Sequence, residues 1–426
     1  MSAVIAVIGS GYVGLTTGVC LASLGHRVTC ADIDERRIAL LEQGQTPFVE
    51  RGLGELLACG REEGNLQFTS DVRSAVRGCE FIYLCLPTPR SSDGSADLSY
   101  LGDAVANIAD LLEPNSIVIN KSTVPVGSVN FVEQIIGRDD IRVVSNPEFL
   151  REGSAVHDFF HPDRIVVGSN HRDAAIKVAD LYKAISSVVM VTDPSSAEMI
   201  KYASNAFLAM KLSYVNEIAN LCESLGADAD DVLLGMGYDK RIGREFLEPG
   251  PGWGGSCFPK DSLALLEMAR DVGCRFDMVE SMIESNAHQF DLIVESVQKL
   301  LKAGLEGSRI AIWGLTFKAE TDDRRDSPAV AVARRLLDRG ANVVAFDPTV
   351  VGQIPEEPRI EIASDEIAAC RSSDALVVLT EWDQFKWISP ESVASAMKSR
   401  AVVDARNLLD PNAFRRSGFT YVGRGR

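Results

Sequence analysis

The chain is 426 residues long, enough for two or three domains, and carries 60 acidic against 43 basic residues for a formal net charge of −17. Its 46% hydrophobic content is that of an ordinary globular protein. So acidic a chain argues against nucleic acid and anionic membranes, which attract basic surfaces, and leaves room for a phosphorylated small molecule held by a few local Lys and Arg residues.

Met1-Ser2-Ala3 lacks a basic n-region and the apolar run behind it meets Gly9 at once, so no signal peptide is expected. No segment reaches the roughly 18 apolar residues of a membrane span. The first strand, Val4 to Ile8, runs into Gly9-Ser10-Gly11-Tyr12-Val13-Gly14, then a helix to Gly25 and a second strand ending at Asp32. This is G-x-G-x-x-G in its strand–turn–helix setting. Gly9 permits the turn, Gly11 lets backbone approach a pyrophosphate, and Gly14 allows close helix–strand packing at a helix N-terminus. Asp32 falls where a carboxylate accepts the adenosine ribose hydroxyls and repels a 2′-phosphate, which favours NAD; Arg36 and Arg37 weaken that preference. Further strands are expected at Phe81 to Leu86, Ile117 to Ile119, Arg142 to Val144 and Ile165 to Val167. Continuous apolar runs separated by helical stretches predict an α/β, doubly wound parallel sheet with ligands beyond its carboxyl edge. Pro87 to Pro89, Lys121 to Pro125 and Asn146 to Gly153 fall there, as ligand loops or as plain turns and caps.

Asp193 to Glu198 reads as a helix start, with Ser195 and Glu198 spaced as a capping box, and helical sequence continues to about Leu225. A helix of that length suits a spine between domains or a dimer interface. Lys201 and Asn205, four apart, share one of its faces. Beyond a linker at Gly304 to Ser308, strand Ile310 to Gly314, helix Ser327 to Arg339 and strand Asn342 to Asp347 predict a second Rossmann-like unit, with more strands at Ala375 to Leu379 and Ala401 to Asp404. It lacks G-x-G-x-x-G, and Lys318, Arg325 and Arg406 are its candidate phosphate partners or else surface ion-pair residues. The nine cysteines are scattered without CxxC pairs and most, like Cys85, sit in apolar surroundings, so a reducing cytoplasm is expected.

Cys257 differs, standing in Gly252-Trp253-Gly254-Gly255-Ser256-Cys257-Phe258-Pro259-Lys260-Asp261. A hydride acceptor implies an alcohol or aldehyde substrate, and a thiolate adding to an aldehyde gives a thiohemiacetal that a second hydride loss turns into a thioester. One site would then carry an alcohol to a carboxylate. Lys201 or Lys260 would lower the thiol pKa, and Glu148 or Glu152 would serve as the base for hydrolysis. The other reading of Cys257 is a thiol packed in a tight turn.

Taken together and in order, GSGYVG, KSTVPVG, NPEFLREG, KYASNAFLAMK, FLEPGPGWGGSCFPKD and GLTFKAETDDRRDSP resemble the nucleotide-sugar 6-dehydrogenases, nearest the UDP-glucose branch. The resemblance spans essentially the whole chain. It implies two Rossmann-like domains joined by a long central helix and a helical dimerisation region: an NAD-binding domain over 1–194, a central domain over 195–303 and a UDP-binding domain over 304–426. It implies oxidation of UDP-glucose to UDP-glucuronate with two NAD and no metal. By the same resemblance Cys257 is the nucleophile, Lys201 and Asn205 stabilise an oxyanion and bind the sugar, and Asp261 orients water and Lys201. Glu148 is the base, acting on a water with Thr123. The cofactor would meet Gly9, Gly11, Tyr12, Val13, Gly14, Asp32, Arg37, Thr88, Thr123, Glu152, Lys260 and Arg325. The substrate would meet Glu148, Phe149, Leu150, Arg151, Phe246, Leu247, Gly250, Gly252, Gly254, Phe258, Phe317, Lys318 and Arg406. Arg241 would cross from a neighbouring subunit, making a homodimer the minimal unit. TDP-glucose or GDP-mannose as substrate, a single-oxidation hydroxy-acid dehydrogenase and a silent NAD-binding module are the competing readings. His157 and His161, four apart with acids at Asp158 and Asp163, could bind zinc on a helix, but Pro162 ends any helix there and no third ligand cluster is nearby.

Overall fold

The computed structural model describes residues 2–89, 91 and 95–426. Two compact units divide the chain, Met1–Ser204 with Leu263–Val272 and Asn205–Ser262 with Gly273–Arg426.

The first unit is built on β1 (Val4–Ile8), β2 (Arg27–Ala31), β3 (Leu66–Thr69), β4 (Phe81–Leu84), β5 (Ile117–Asn120), β6 (Arg142–Ser145), β7 (Arg164–Gly168) and β8 (Val188–Thr192), in spatial order 3-2-1-4-5-6-7-8. Alternate residues enter two cores: Ile5 and Val7 join one with the helix Tyr12–Ser23, while Ala6 and Ile8 join the other with the helices Ser99–Ile108 and Ser128–Ile136. Burial on both faces is why these strands read as unbroken apolar runs. The expected strand ends hold to within two residues. The sheet is parallel through β6, but β7 runs antiparallel to it, joined at Ser145 and Gly168. That connection, residues 146–163, contains only the short helix Ala155–Phe160.

The long helix is Pro194–Leu225, with no Gly inside it and no Pro after the first residue. Its start corrects the capping-box expectation. The Asp193 carboxylate accepts the Ser196 amide at 2.9 Å, while Glu198 turns away to accept the Gly127 and Val129 amides at 2.7 and 3.0 Å. Those two amides stand at the N-terminal end of Ser128–Ile136 and offer a carboxylate more than its own helix does.

The second unit holds an all-parallel sheet of β9 (Arg309–Trp313), β10 (Asn342–Phe346), β11 (Glu361–Ile362), β12 (Ala375–Val378), β13 (Ala401–Asp404) and β14 (Thr420–Val422), in order 11-10-9-12-13-14. Helix Pro328–Asp338 starts as predicted, with Ser327 accepting the Ala329 amide and Pro328 in the first turn. Helix Asp277–Leu300 lays Ile293, Val294 and Val297 on the same core. Among the described residues no helix is long and apolar enough to cross a membrane.

Candidate active site

In the first unit the glycine turn is shaped by its own packing at two of three positions. A Cβ on Gly9 (φ +93°) would lie 2.3 Å from the Cys85 carbonyl oxygen, and one on Gly14 would lie 1.8 Å from that of Gly9. At Gly11 an added Cβ would meet no protein atom within 4 Å, which leaves the backbone there open to approach. The Asp32 carboxylate is aimed by three donors: the Ser10 amide at 2.7 Å, the Asp34 amide at 2.9 Å and Arg37 Nη1 at 2.8 Å. Val13 packs on the sheet core. Thr88 Oγ1 donates to the Thr123 carbonyl at 2.9 Å, joining the loops after β4 and β5.

The loop after β6 carries most of the remaining first-unit candidates. Glu148 is 4% exposed, and its carboxylate accepts Lys201 Nζ at 2.7 Å and the Leu150 amide at 2.6 Å. Burial pushes this carboxyl up, but the Lys201 ammonium, these hydrogen bonds and the Lys121 ammonium outweigh it and hold it below the usual value. Lys121 itself is driven down to about 8 by burial, against the pull of Glu148. It donates to Asn146 Oδ1 at 3.1 Å, which also accepts the Tyr182 hydroxyl at 2.8 Å. The Phe149 ring is covered by the Arg164 guanidinium at 3.6 Å, with Lys201 Nζ 5.5 Å from its centroid. Leu150 packs on the core, and Arg151 forms a two-point ion pair with Asp158. Glu152 follows Arg151 in that loop. His157 stacks on His161 at 4.6 Å; among the described residues no three His, Cys, Asp or Glu side chains are grouped to hold a metal.

In the second unit Cys257 stands immediately before the helix Phe258–Asp271, and its carbonyl accepts the Asp261 amide at 2.9 Å. Sequence analysis placed no helix here, so the helix N-terminus behind the thiol, a favourable place for a thiolate, was missed. Asp261 is 0% exposed and accepts Asn205 Nδ2 at 2.6 Å and Lys260 Nζ at 2.8 Å. Lys260 is thus tied to a carboxylate, as Lys201 is to Glu148. The glycine loop is clamped on both sides: Trp253 exchanges two backbone hydrogen bonds with the Asn286 amide, and its indole donates to Ser213 at 2.8 Å. Asn216 accepts the Gly250 amide and Gln289 donates to the Gly250 carbonyl, at 2.8 and 3.0 Å. Phe246 adopts φ +60° with its ring 6.4 Å from that of Phe258, and Leu247 is buried beside it.

The turn after β9 brings Phe317 and Arg406 together. Arg406 Nη2 donates to the Phe317 carbonyl at 2.9 Å and its Nε to that of Leu379 at 3.0 Å; a Cβ on Gly250 would lie 3.3 Å from its Nη1. Lys318 Nζ lies 5.6 Å from the Phe317 centroid. A Cβ on Gly252 (φ +120°) would meet Phe290 at 2.6 Å. Arg325 and Arg241 are outward-facing and pair with Asp323 and Asp239, two residues before each. Glu50, Lys121, Asn286 and Gln289 were not singled out by sequence; each works through contacts far apart in the chain, which leave no local spacing to read.

Known proteins resemble the chain along its whole length. Family models match it at 3–186 (UDP-glucose/GDP-mannose dehydrogenase family, NAD binding domain), 195–288 (central domain) and 311–411 (UDP binding domain). UDP-glucose 6-dehydrogenase of Rhizobium meliloti is 43% identical, with 99% of each chain covered. UDP-glucose 6-dehydrogenase TuaD of Bacillus subtilis is 42% identical over 99% of this chain and 93% of its own. A solved UDP-glucose dehydrogenase of Pyrobaculum islandicum superposes with a TM-score of 0.88 at 34% identity, covering 99% of this chain and 98% of its own. With a glycine turn and the Asp32 carboxylate in one unit and a thiol loop in the other, the chain belongs to the UDP-glucose/GDP-mannose dehydrogenase family, NAD-dependent oxidoreductases.

Proposed function

We propose that the protein oxidises UDP-glucose to UDP-glucuronate through a Cys257-bound intermediate, with Lys201, Asn205, Glu148, Asp261 and Thr123 as its partners. The observation that carries the reading is Cys257 at a helix N-terminus, one turn before an Asp261 carboxylate that holds Asn205 and Lys260. The names of the relatives favour UDP-glucose over TDP-glucose or GDP-mannose.

NAD, bound at the glycine turn and Asp32, supplies a hydride acceptor for each of two oxidations. The residues supply the rest. Removing hydride from C6 and the hydroxyl proton leaves an aldehyde, to which the Cys257 thiolate adds; Lys201 and Asn205 stabilise the alkoxide. Loss of the second hydride gives the thioester. Water, deprotonated by Glu148 beside Thr123, then attacks the carbonyl, and the C–S bond breaks to return the thiolate. The sum is one alcohol, two NAD and one water giving one carboxylic acid, two NADH and two protons. For Glu148 to act as base its ion pair with Lys201 must loosen as Lys201 turns to the substrate oxygen.

Arg406, Lys318 and Phe317 would hold the nucleotide diphosphate, with the Gly250 and Gly254 backbone against the sugar. Phe149, Leu150, Arg151, Phe246, Leu247 and Phe258 complete the sugar-binding set. Arg37, Thr88, Glu152, Lys260 and Arg325 would contact the cofactor. A homodimer, to which Arg241 contributes across subunits, is supported by an exposed apolar stripe at Phe207, Tyr214 and Leu221 of the long helix. A cytoplasmic setting is part of the same reading.

The test is the ratio of NADH formed to UDP-glucose consumed, measured beside Cys257→Ser. A ratio of two is expected, with the variant slowed by at least about a thousandfold, as for loss of a covalent nucleophile. A ratio of one with an active variant would make the thiol structural and leave a single-oxidation dehydrogenase.

A further inference from the structure

Glu50 takes no part in the reaction as read above, and its surroundings in sequence, Thr46 to Gly52, carry no motif. It is 8% exposed, and its carboxylate gathers donors from two distant segments. Oε2 accepts the Tyr12 hydroxyl at 2.6 Å and the Gly153 amide at 2.7 Å; Oε1 accepts the Ala155 amide at 2.9 Å. Tyr12 opens the helix behind the glycine turn, while Gly153 and Ala155 close the loop that begins at Asn146. The same hydroxyl lies 3.0 Å from the Arg151 carbonyl oxygen. With one proton to give, it gives it to the nearer, charged acceptor, and the Arg151 carbonyl rests beside it.

The other anchors of that loop are of a different kind. Asn146 donates to Val166 of β7, Leu150 folds back on Glu148, Arg151 pairs with Asp158, and Glu148 reaches Lys201. They fix the loop to itself, to its flanking elements and to the long helix. Glu50, with Tyr12, fixes it to the dinucleotide turn.

We propose that Glu50 is a positioning residue that couples the glycine turn to the loop bearing Glu148 and Glu152, so that filling the turn and setting the substrate loop are one event. The proposal rests on the reading that the turn binds the cofactor and the loop the sugar nucleotide. Coupling of this kind is reciprocal: each ligand tightens the other by the same factor.

The dead-end complex of NADH with UDP-glucose measures that factor without turnover. NADH affinity, read by fluorescence with and without UDP-glucose, is expected to rise about tenfold on adding the sugar nucleotide, the worth of one hydrogen bond to a charged group. In Tyr12→Phe, which keeps the ring against Phe48 and deletes one oxygen, and in Glu50→Gln, the factor is expected to fall toward one. The double variant should be no worse than Glu50→Gln alone, because Tyr12 acts through Glu50. A factor unchanged in Tyr12→Phe, or absent in the native protein, overturns the proposal; if Glu50→Gln does not fold, Tyr12→Phe decides. A protein that neither binds nor oxidises UDP-glucose sinks the substrate reading, not the clamp. Trypsin cleavage after Arg151 then tests the clamp alone: NADH should slow it in the native protein and not in Tyr12→Phe, and equal protection in both overturns it.

Discussion

Lys201 and Glu148 are 3% and 4% exposed and 2.7 Å apart, which makes the pair costly to break from one side. Lys201→Met is expected to cost about 3–5 kcal/mol at neutral pH, because it leaves a buried carboxylate without its closest cation. In the native protein the folded Glu148 value is depressed, so its contribution is present above the unfolded value of about 4.3 and is lost as pH falls through the lower folded value. In Lys201→Met burial dominates and raises the folded value. That variant should lose stability as pH rises from about 5 to 7, where this pair gives the native protein no slope. Lys201→Met/Glu148→Gln should recover most of the stability and none of the turnover; urea denaturation at the two pH values, beside a rate assay, separates the two effects. If the single variant shows no such slope, the pair is not the buried ion pair described. Lys201 and Glu148, and Asn205 and Asp261, could be singled out from the sequence because chemistry and motif coincide at them, and each pair is found hydrogen-bonded. Glu50 and Lys121 were not, since a lone acid or lysine becomes informative only through partners such as Gly153 or Asn146, far along the chain or across the sheet.

At the scale of elements, the loop 250–256 is held by close backbone packing as well as by the side chains of Asn216, Asn286 and Gln289. A Cβ on Gly254 would sit 2.1 Å from the Asp326 carbonyl oxygen and 2.7 Å from Pro328 Cδ, and neither can swing aside like a flexible side chain. Gly254→Ala must therefore displace the loop or the start of the helix Pro328–Asp338. The expected result is a loss of about 1–3 kcal/mol in thermal or denaturant stability, with kcat/KM for the sugar nucleotide down about a hundredfold. Native kinetics in that variant would mean that the loop does not position substrate. The elements themselves were largely legible, because two-sided burial writes β1, β4, β5, β9 and β13 as apolar runs. β3, β8, β11 and β14 were not predicted. β11 and β14 have two and three residues, too few for a pattern. β8 carries the same apolar run, Val188 to Val191, but stands at the sheet edge with all four of these side chains exposed. The helix behind Cys257 was not predicted, although Pro259 in its first turn with Asp261 close behind is itself a start signal.

Across the whole molecule the same plan occurs twice with a different outcome. At the end of β2, Asp32 accepts one turn amide, Ser10; at the corresponding end of β10, Asp347 accepts the Leu315 and Thr316 amides, the Thr316 hydroxyl and the Trp382 indole. At 1% exposure Asp347 is consumed by these donors, a physical reason for the second sheet to lack an acid open to a ligand at that position. Association belongs to this scale as well. Phe207, Tyr214 and Leu221, each more than half exposed and seven residues apart, form a stripe about 20 Å long on one face of the long helix. Light scattering should give twice the 46.2 kDa chain mass for the native protein and a shift toward the single-chain mass for Tyr214→Glu. A native monomer would remove the shared role of Arg241. The long helix also sets a rule about length. Lys201, Asn205, Asn216 and Asn220 lie on one uninterrupted rod, and the last two hold Gly250, directly or through Gln289. One residue inserted between Asn205 and Asn216 would advance the last two by 1.5 Å and rotate them by about 100° relative to the first, so that Asn205 could not keep Asp261 while Asn216 and Asn220 kept Gly250 and Gln289. The rod is a ruler: its side chains can be exchanged one at a time, but its number of residues is fixed.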